Sequence, residues 1–359
     1  MIPYGRQSVD DDDIAAVVGV LKGDWLTQGP QIARFEQSLA DVTGASHAVA
    51  FSSGTAALHG AVSVAGLGPG DAVVTSPLSF VASANCARYV GATPAFVDID
   101  PATLNLDLSL VPRGCQALVA VHYAGLPLDL SQLSHRPRIV IEDAAHALGA
   151  VTPAGPVGNC AASDMCVFSF HPVKVVTTGE GGAVTTNSAE LADQLRRFRS
   201  HGAVPRPQQG GWYYEIDSLG FNYRMTDIHA ALGVSQVGKL DRFVTRRNEL
   251  AARYRSSLAG LAVELPPEAG AGVGHAYHLF PVRVADRGGV YHRMREAGIG
   301  VQVHYVPIYR HPLYADLGLD PNTFPATENA YSRLLSLPMY PDLTDDEQDD
   351  VVRALEAAL

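Results

Sequence analysis

The sequence predicts an α/β protein, a mostly parallel sheet covered on both faces, followed by a smaller α+β unit. Three observations carry that expectation. From about residue 47, short apolar runs alternate with helical stretches, as strand–helix crossovers do. A length of 359 residues allows two domains with sizeable cores. The stretch 226–254 is strongly helical, broken near Gly238, and reads as a connector to a second set of elements.

The elements follow in chain order. Ser8 and Asp11 resemble a capping box ahead of Ile14, Val17, Val18 and Leu21 at helical spacing, and Gly23 ends that helix. Gly29-Pro30 opens a second helix through Phe35 and Leu39. Strands are expected at 47–52, 72–76, 94–97, 117–121, 138–141, 165–168 and 183–186, with helices at 54–65, 79–89 and 189–199. The Pro/Gln/Gly stretch 203–211 and Trp212-Tyr213-Tyr214 read as an excursion loop. Beyond the connector, strands are expected at 261–265 and 278–284, and helices near 288–297, 326–335 and 344–358. The resulting division is an N-terminal arm and helix (1–25), a large domain (26–240) and a small C-terminal domain (241–359).

Composition narrows the function classes. With 47% hydrophobic and 18% charged residues, the chain is neither disordered nor low in complexity. The formal charge is −11, with no block of Lys or Arg, which argues against nucleic acid and anionic membranes as partners. Four cysteines without a C-x-x-C pair predict reduced, buried thiols, no disulfide framework and no metal site. The N-terminus runs into Asp10–Asp13 rather than an apolar stretch, and no run approaches the roughly 18 apolar residues of a membrane span. A soluble, cytoplasmic protein is expected.

Four segments could carry chemistry. Ser52-Ser53-Gly54-Thr55 follows a strand and opens a helix, where small residues let N–H groups approach an anion. Taken alone it reads first as an ordinary capped turn, and it is not a Walker loop because no Gly-Lys-Ser/Thr follows. Glu142-Asp143 stands at the C-terminal end of a strand, the sheet edge where ligands bind; Asp143 could hold a proton on a heteroaromatic nitrogen, or cap the next helix. Lys174 lies in an apolar neighbourhood, where burial would lower its pKa and allow a Schiff base; the other reading is a solvent-facing lysine. Asn222 and Arg224 form a polar island before the long helix, suited to a phosphate or carboxylate or to a plain cap. An anion cradle, a strand-end acid and a lysine are the parts that a pyridoxal phosphate site needs.

At this point the chain resembles the DegT/DnrJ/EryC1/StrS sugar-nucleotide aminotransferases, a branch of the aspartate-aminotransferase fold, PLP-dependent fold type I. The resemblance spans nearly the whole chain. It rests on Leu26-Thr27-Gln28-Gly29-Pro30, Ser53-Gly54-Thr55-Ala56-Ala57-Leu58, Ser79-Phe80-Val81-Ala82-Ser83, Glu142-Asp143-Ala144-Ala145-His146 and Phe168-Ser169-Phe170-His171-Pro172-Val173-Lys174. It continues through Glu180-Gly181-Gly182, Arg199-Ser200-His201-Gly202, the run 220–225, His304-Tyr305-Val306-Pro307 and Ser336-Leu337-Pro338-Met339.

The resemblance implies pyridoxal 5′-phosphate as cofactor, Lys174 as the Schiff-base lysine and proton shuttle, and Asp143 as partner of the pyridine nitrogen. It implies Gly54, Thr55 and Ser169 at the phosphate, Phe80 stacked on the ring, and His146 beside the cofactor. Asn222 would reach the phosphate of the other subunit, making a homodimer the minimal unit. Tyr4, Asp24, Trp25, Leu26, Thr27, His304 and Tyr305 match positions lining the nucleotide-sugar site. His146 stands where most members have Gln, and His146-Ala147-Leu148-Gly149 resembles the subgroup that aminates C4 in pseudaminic acid synthesis. That subgroup implies L-glutamate as donor and a UDP-linked 4-keto-6-deoxy-2-acetamido hexose as acceptor. Another nucleotide-linked keto-sugar, or a regulatory protein that kept the fold without the chemistry, are the competing readings. Relatives that remove a hydroxyl carry His at the lysine position, which Lys174 argues against.

Overall fold

The computed structural model describes all 359 residues. Seven strands form the central sheet: β1 (His47–Phe51), β2 (Ala72–Thr75), β3 (Thr93–Phe96), β4 (Ala117–Val121), β5 (Ile139–Asp143), β6 (Met165–Ser169) and β7 (Gly182–Thr186). Their spatial order is β1-β7-β6-β5-β4-β2-β3. Strands β2 to β6 pair parallel, whereas β7 runs antiparallel to both β6 and β1. The link from β6 to β7 contains no helix to carry the chain back across the sheet, so the return is antiparallel.

Alternation along β6 shows how both faces are filled. Met165 and Val167 enter one core, with Ala57 and Leu58 of helix α3 (Gly54–Val64). Cys166 and Phe168 enter the other, with Phe35 and Leu39, which lie on α2 (Pro30–Thr43). All five residues of β4 and of β7 are buried, as a doubly covered sheet requires. Phe168 is fully buried within a 23-residue cluster. Phe168→Ala is therefore expected to cost about 3–5 kcal/mol, measured as a drop in denaturation midpoint; an unchanged midpoint would mean the cluster does not support the sheet.

The other elements refine the sequence expectations. Helix α1 (Asp11–Leu21) is capped by Asp10 and Asp13, not by Ser8 and Asp11; the Ser8 hydroxyl instead donates to Asp342. Helix α4 (Ala82–Tyr89) starts three residues later than 79, so Ser79–Val81 form a turn that presents Phe80. Helix α5 spans Ala189–Phe198. The expected break falls between α6 (Asp227–Val237) and α7 (Leu240–Ser257). The stretch 203–216 is not a bare loop, since Ala203–Pro205 and Tyr214–Ile216 pair as a short hairpin.

Leu240 and Phe243 at the start of α7 pack in the core that holds Phe168. Leu250, Ala251 and Tyr254 further along it pack in a separate C-terminal core. There β8 (Phe280–Arg283) pairs antiparallel with β9 (Leu334–Leu337), beside α8 (Arg287–Glu296) and α10 (Asp345–Ala358). Helix α9 (Pro325–Arg333) stops before 335 because Leu334, Leu335 and Leu337 are all buried in that pairing. At 261–265 only Glu264 bridges to Arg283; Pro266 and Pro267 follow and supply no N–H to extend a ladder. The N-terminal arm joins both regions, with Ile2 bridging to Ile299 and Asp13 bonded to Gln236 of α6. No helix is long and apolar enough to cross a membrane.

Candidate active site

A cavity of about 510 Å³ opens at the C-terminal edge of β5 and β6, between the sheet and the C-terminal unit. Tyr4, Gly54, Thr55, Phe80, Asp143, His146, Ser169, Lys174, His304 and Tyr305 all line it. Asn222 and the run Asp24-Trp25-Leu26-Thr27 do not; these five residues are exposed outside the cavity. Ser79, Glu180 and His278 line it too, and sequence reading missed them. Ser79 belongs to a motif that could have signalled it; His278 carried no signal, since it reads as the start of a strand.

The cradle is built by close backbone packing. Ser53 caps α3 by accepting the Ala56 N–H, and the Gly54 and Thr55 N–H groups, first in the helix, have no intrahelical acceptor. A Cβ on Gly54 would lie 2.8 Å from the Ser169 Cβ, and one on Gly182 would strike the Ser53 carbonyl. Only glycine allows β6, β7 and the start of α3 to come so close.

Asp143 ends β5 with its carboxylate turned to the cavity. Its Oδ2 accepts the Ser83 hydroxyl at 2.6 Å and its Oδ1 accepts the Ala145 N–H at 3.2 Å. Glu142, on the opposite side of the strand, is tied to His122 and Ser163 away from the cavity. The two adjacent acids therefore do different work.

Lys174 projects from the turn after β6, where its N–H meets the His171 carbonyl. Burial lowers its pKa from 10.5 to about 8, and the nearby Asp143 charge opposes that fall. Attachment of an aldehyde to this amine is expected to accelerate as pH rises through about 8 and then level off, because only the unprotonated amine attacks. In Asp143→Asn the midpoint is expected to move down, since the carboxylate helps keep the proton on. Absorbance-monitored cofactor binding across pH checks both, and a midpoint near 10.5 would contradict them.

Three imidazoles line the same cavity as the amine. Burial first, then the Lys174 charge, pulls His146 well below its usual range and His304 to about 4. His278 is also well lowered, by burial first, then His146 and Lys174. All three are neutral at pH 7. His146 Nε2 pairs with the Tyr305 hydroxyl at 3.1 Å, its ring lies 4.3 Å from that of His278, and His304 Nδ1 meets the Ser336 hydroxyl at 2.9 Å. The buried Nδ1 atoms of His146 and His278 have no protein partner.

An anion cradle, an amine titrating near 8, a buried carboxylate and unpaired imidazole nitrogens together fit pyridoxal phosphate. A larger hollow of about 670 Å³, lined by His59, Tyr89, Phe198 and Phe221, has neither cradle nor lysine.

Known proteins agree. The chain is 37% identical over 376 residues to the spore coat polysaccharide biosynthesis protein SpsC of Bacillus subtilis, covering 99% of this chain and 96% of that protein. It is 36% identical to a UDP-4-amino-4-deoxy-L-arabinose–oxoglutarate aminotransferase of Shewanella sediminis, with 99% and 97% covered. A Streptococcus pneumoniae protein solved in its PMP form superposes with a TM-score of 0.93 at 28% identity, covering 100% of this chain and 99% of that one. Helicobacter pylori PseC, an aminotransferase of pseudaminic acid biosynthesis, gives 0.92 at 30%, with 99% and 98% covered. The fold is PLP-dependent fold type I and the cofactor is pyridoxal 5′-phosphate. Residues 7–356 match the pattern of the DegT/DnrJ/EryC1/StrS aminotransferase family, and the chain belongs to that family.

Proposed function

We propose that the protein is a sugar-nucleotide aminotransferase that moves the amino group of L-glutamate to C4 of a UDP-linked 4-keto-6-deoxy-2-acetamido hexose. The product is UDP-4-amino-4,6-dideoxy-N-acetyl-β-L-altrosamine, a precursor of pseudaminic acid. The observation that carries the finer reading is His146, at the position where most of the family has Gln, bonded to Tyr305 at the cavity wall. The structural likeness to PseC supports it. The likeness to the Shewanella aminotransferase favours a second reading, a UDP-linked 4-keto pentose.

When bound, pyridoxal 5′-phosphate supplies an aldehyde and a conjugated ring that accepts electrons from the substrate carbon. Lys174 Nζ would hold its aldehyde and, as the neutral amine that burial favours, would serve as the base that moves the proton at the substrate carbon. Asp143 would hold a proton on the ring nitrogen. Gly54, Thr55 and Ser169 would hold the phosphate, Phe80 would stack on the ring, and His146, fixed by its bond to Tyr305, would stand beside it. Tyr4, His304 and Tyr305 bind the sugar, aided by residues 24–27.

The functional unit in this reading is a homodimer in which Asn222 completes the partner's site. In support, Asn222 is exposed and lies outside its own cavity. Thr27 bridges to Thr226, so the 24–27 run and the Asn222 segment share one anchor. The arm 1–25, large domain 26–240 and small domain 241–359 frame the site. The four cysteines, all free and buried, accord with work in the cytoplasm.

The test is to offer the amine-loaded enzyme UDP-linked 4-keto sugars and identify the products by NMR. The 2-acetamido-4-amino-L-altro product is expected. Conversion of the 4-keto pentose alone would install the second reading.

A further inference from the structure

We propose that Ser83, relayed by Ser79, is the positioning residue of Asp143; this rests on the cofactor reading of the site. Asp143 Oδ2 lies 2.6 Å from the Ser83 hydroxyl, which lies 2.8 Å from the Ser79 hydroxyl. Ser83 is fully buried, Ser79 is 5% exposed, and Ser79 reaches the cavity wall. Ser83, with no exposed surface, keeps bulk water off its side of the carboxylate.

The direction of the chain follows from proton counting. An ionised carboxylate has no proton to give, so Ser83 donates to Asp143. Its own oxygen is then left to accept, and Ser79 donates to it. Each bond polarises the next, and the last one, to a charge, is the strong type. Ser83 fixes Oδ2, while Oδ1 keeps only the longer 3.2 Å contact to Ala145 and has acceptor capacity for a ring N–H.

The late start of α4 makes this possible. It places Ser83 in the first turn, while the preceding turn sends Phe80 into the cavity. One short segment thereby lines the cavity with Phe80 and steers the Asp143 carboxylate.

The test compares wild type, Ser83→Ala, Ser83→Thr and Ser79→Ala as holoenzymes. The readouts are kcat and KM for L-glutamate, the pH midpoint of the bound cofactor's visible band, and the melting temperature of the cofactor-free protein. Loss of one charge-assisted bond is expected to lower kcat by about 10–100-fold in Ser83→Ala. KM stays within about threefold, and the band midpoint shifts. Ser79→Ala moves both in the same direction by less, and Ser83→Thr restores both.

Equal impairment in the Ala and Thr variants, or a change confined to the melting temperature, overturns the inference. If Ser83→Ala does not fold, Ser79→Ala decides, because it cuts the chain without leaving Asp143 bare; an unmoved midpoint there overturns the proposal. A wild type that binds cofactor while the variants match it refutes this inference alone. A wild type that binds no cofactor refutes the site reading and this inference with it.

Discussion

Lys174→Ala is expected to abolish transamination. The substitution removes the amine that anchors the cofactor and moves the proton, and proton transfer alone contributes about 10²–10⁴-fold. A loss on the order of 10⁴-fold or more is expected in 2-oxoglutarate formed from L-glutamate. The fold should survive. Lys174 lines a cavity rather than a core, and burial costs its charged form energy, so its removal leaves the melting temperature level or higher. The cradle at Gly54 and Thr55 should still bind the cofactor, without the covalent bond. A variant that transaminates at the normal rate would end the account, whereas one that fails to fold would show only that Lys174 supports the structure.

Asp143→Asn is expected to have the second largest effect. An amide cannot hold a positive ring nitrogen as a carboxylate does, so the ring's pull on electrons weakens. Removing a preorganised charge at a reacting group costs about 10²–10³-fold in kcat. KM should change little, because the charge matters most where electrons move onto the ring. The amide also alters Ser83, which then faces a neutral acceptor or an N–H donor instead of an anion. An Asn variant within a few-fold of wild type would show that another group, or none, supports the ring nitrogen.

Much of this site was legible in the sequence because its chemistry sits at element ends. Gly54 and Thr55 open a helix after a strand, Asp143 closes a strand and Lys174 follows one; local pattern places all of them on the same sheet edge. Ser83 was not legible as a partner of Asp143. The two lie sixty residues apart, and their meeting depends on a turn at 79–81 that the helical periodicity concealed. His278 was hidden because it looks like one more residue entering an apolar strand, and only the approach of the C-terminal unit brings it to His146.

The fold shows the same division. The inner sheet strands, such as Ala117–Val121 and Gly182–Thr186, are buried on both faces and announced themselves as short apolar runs. At Leu334–Leu337, helical spacing continued past the point where pairing with Phe280–Arg283 took over. At 261–265 an apolar pattern promised a strand that the following prolines cut to a single bridge. In each case a tertiary partner overrode a local preference.

The central claim is that Lys174 and Asp143 run an amino-transfer half-reaction at this sheet edge. The most direct measurement is the absorbance spectrum of the protein with pyridoxal phosphate, before and after L-glutamate, at pH values on both sides of 8. The account predicts a visible band that disappears as the amine form grows in, with stoichiometric 2-oxoglutarate, and that returns when a UDP-linked 4-keto sugar is added. A protein that takes up the cofactor but keeps its band unchanged with every amino donor would contradict it.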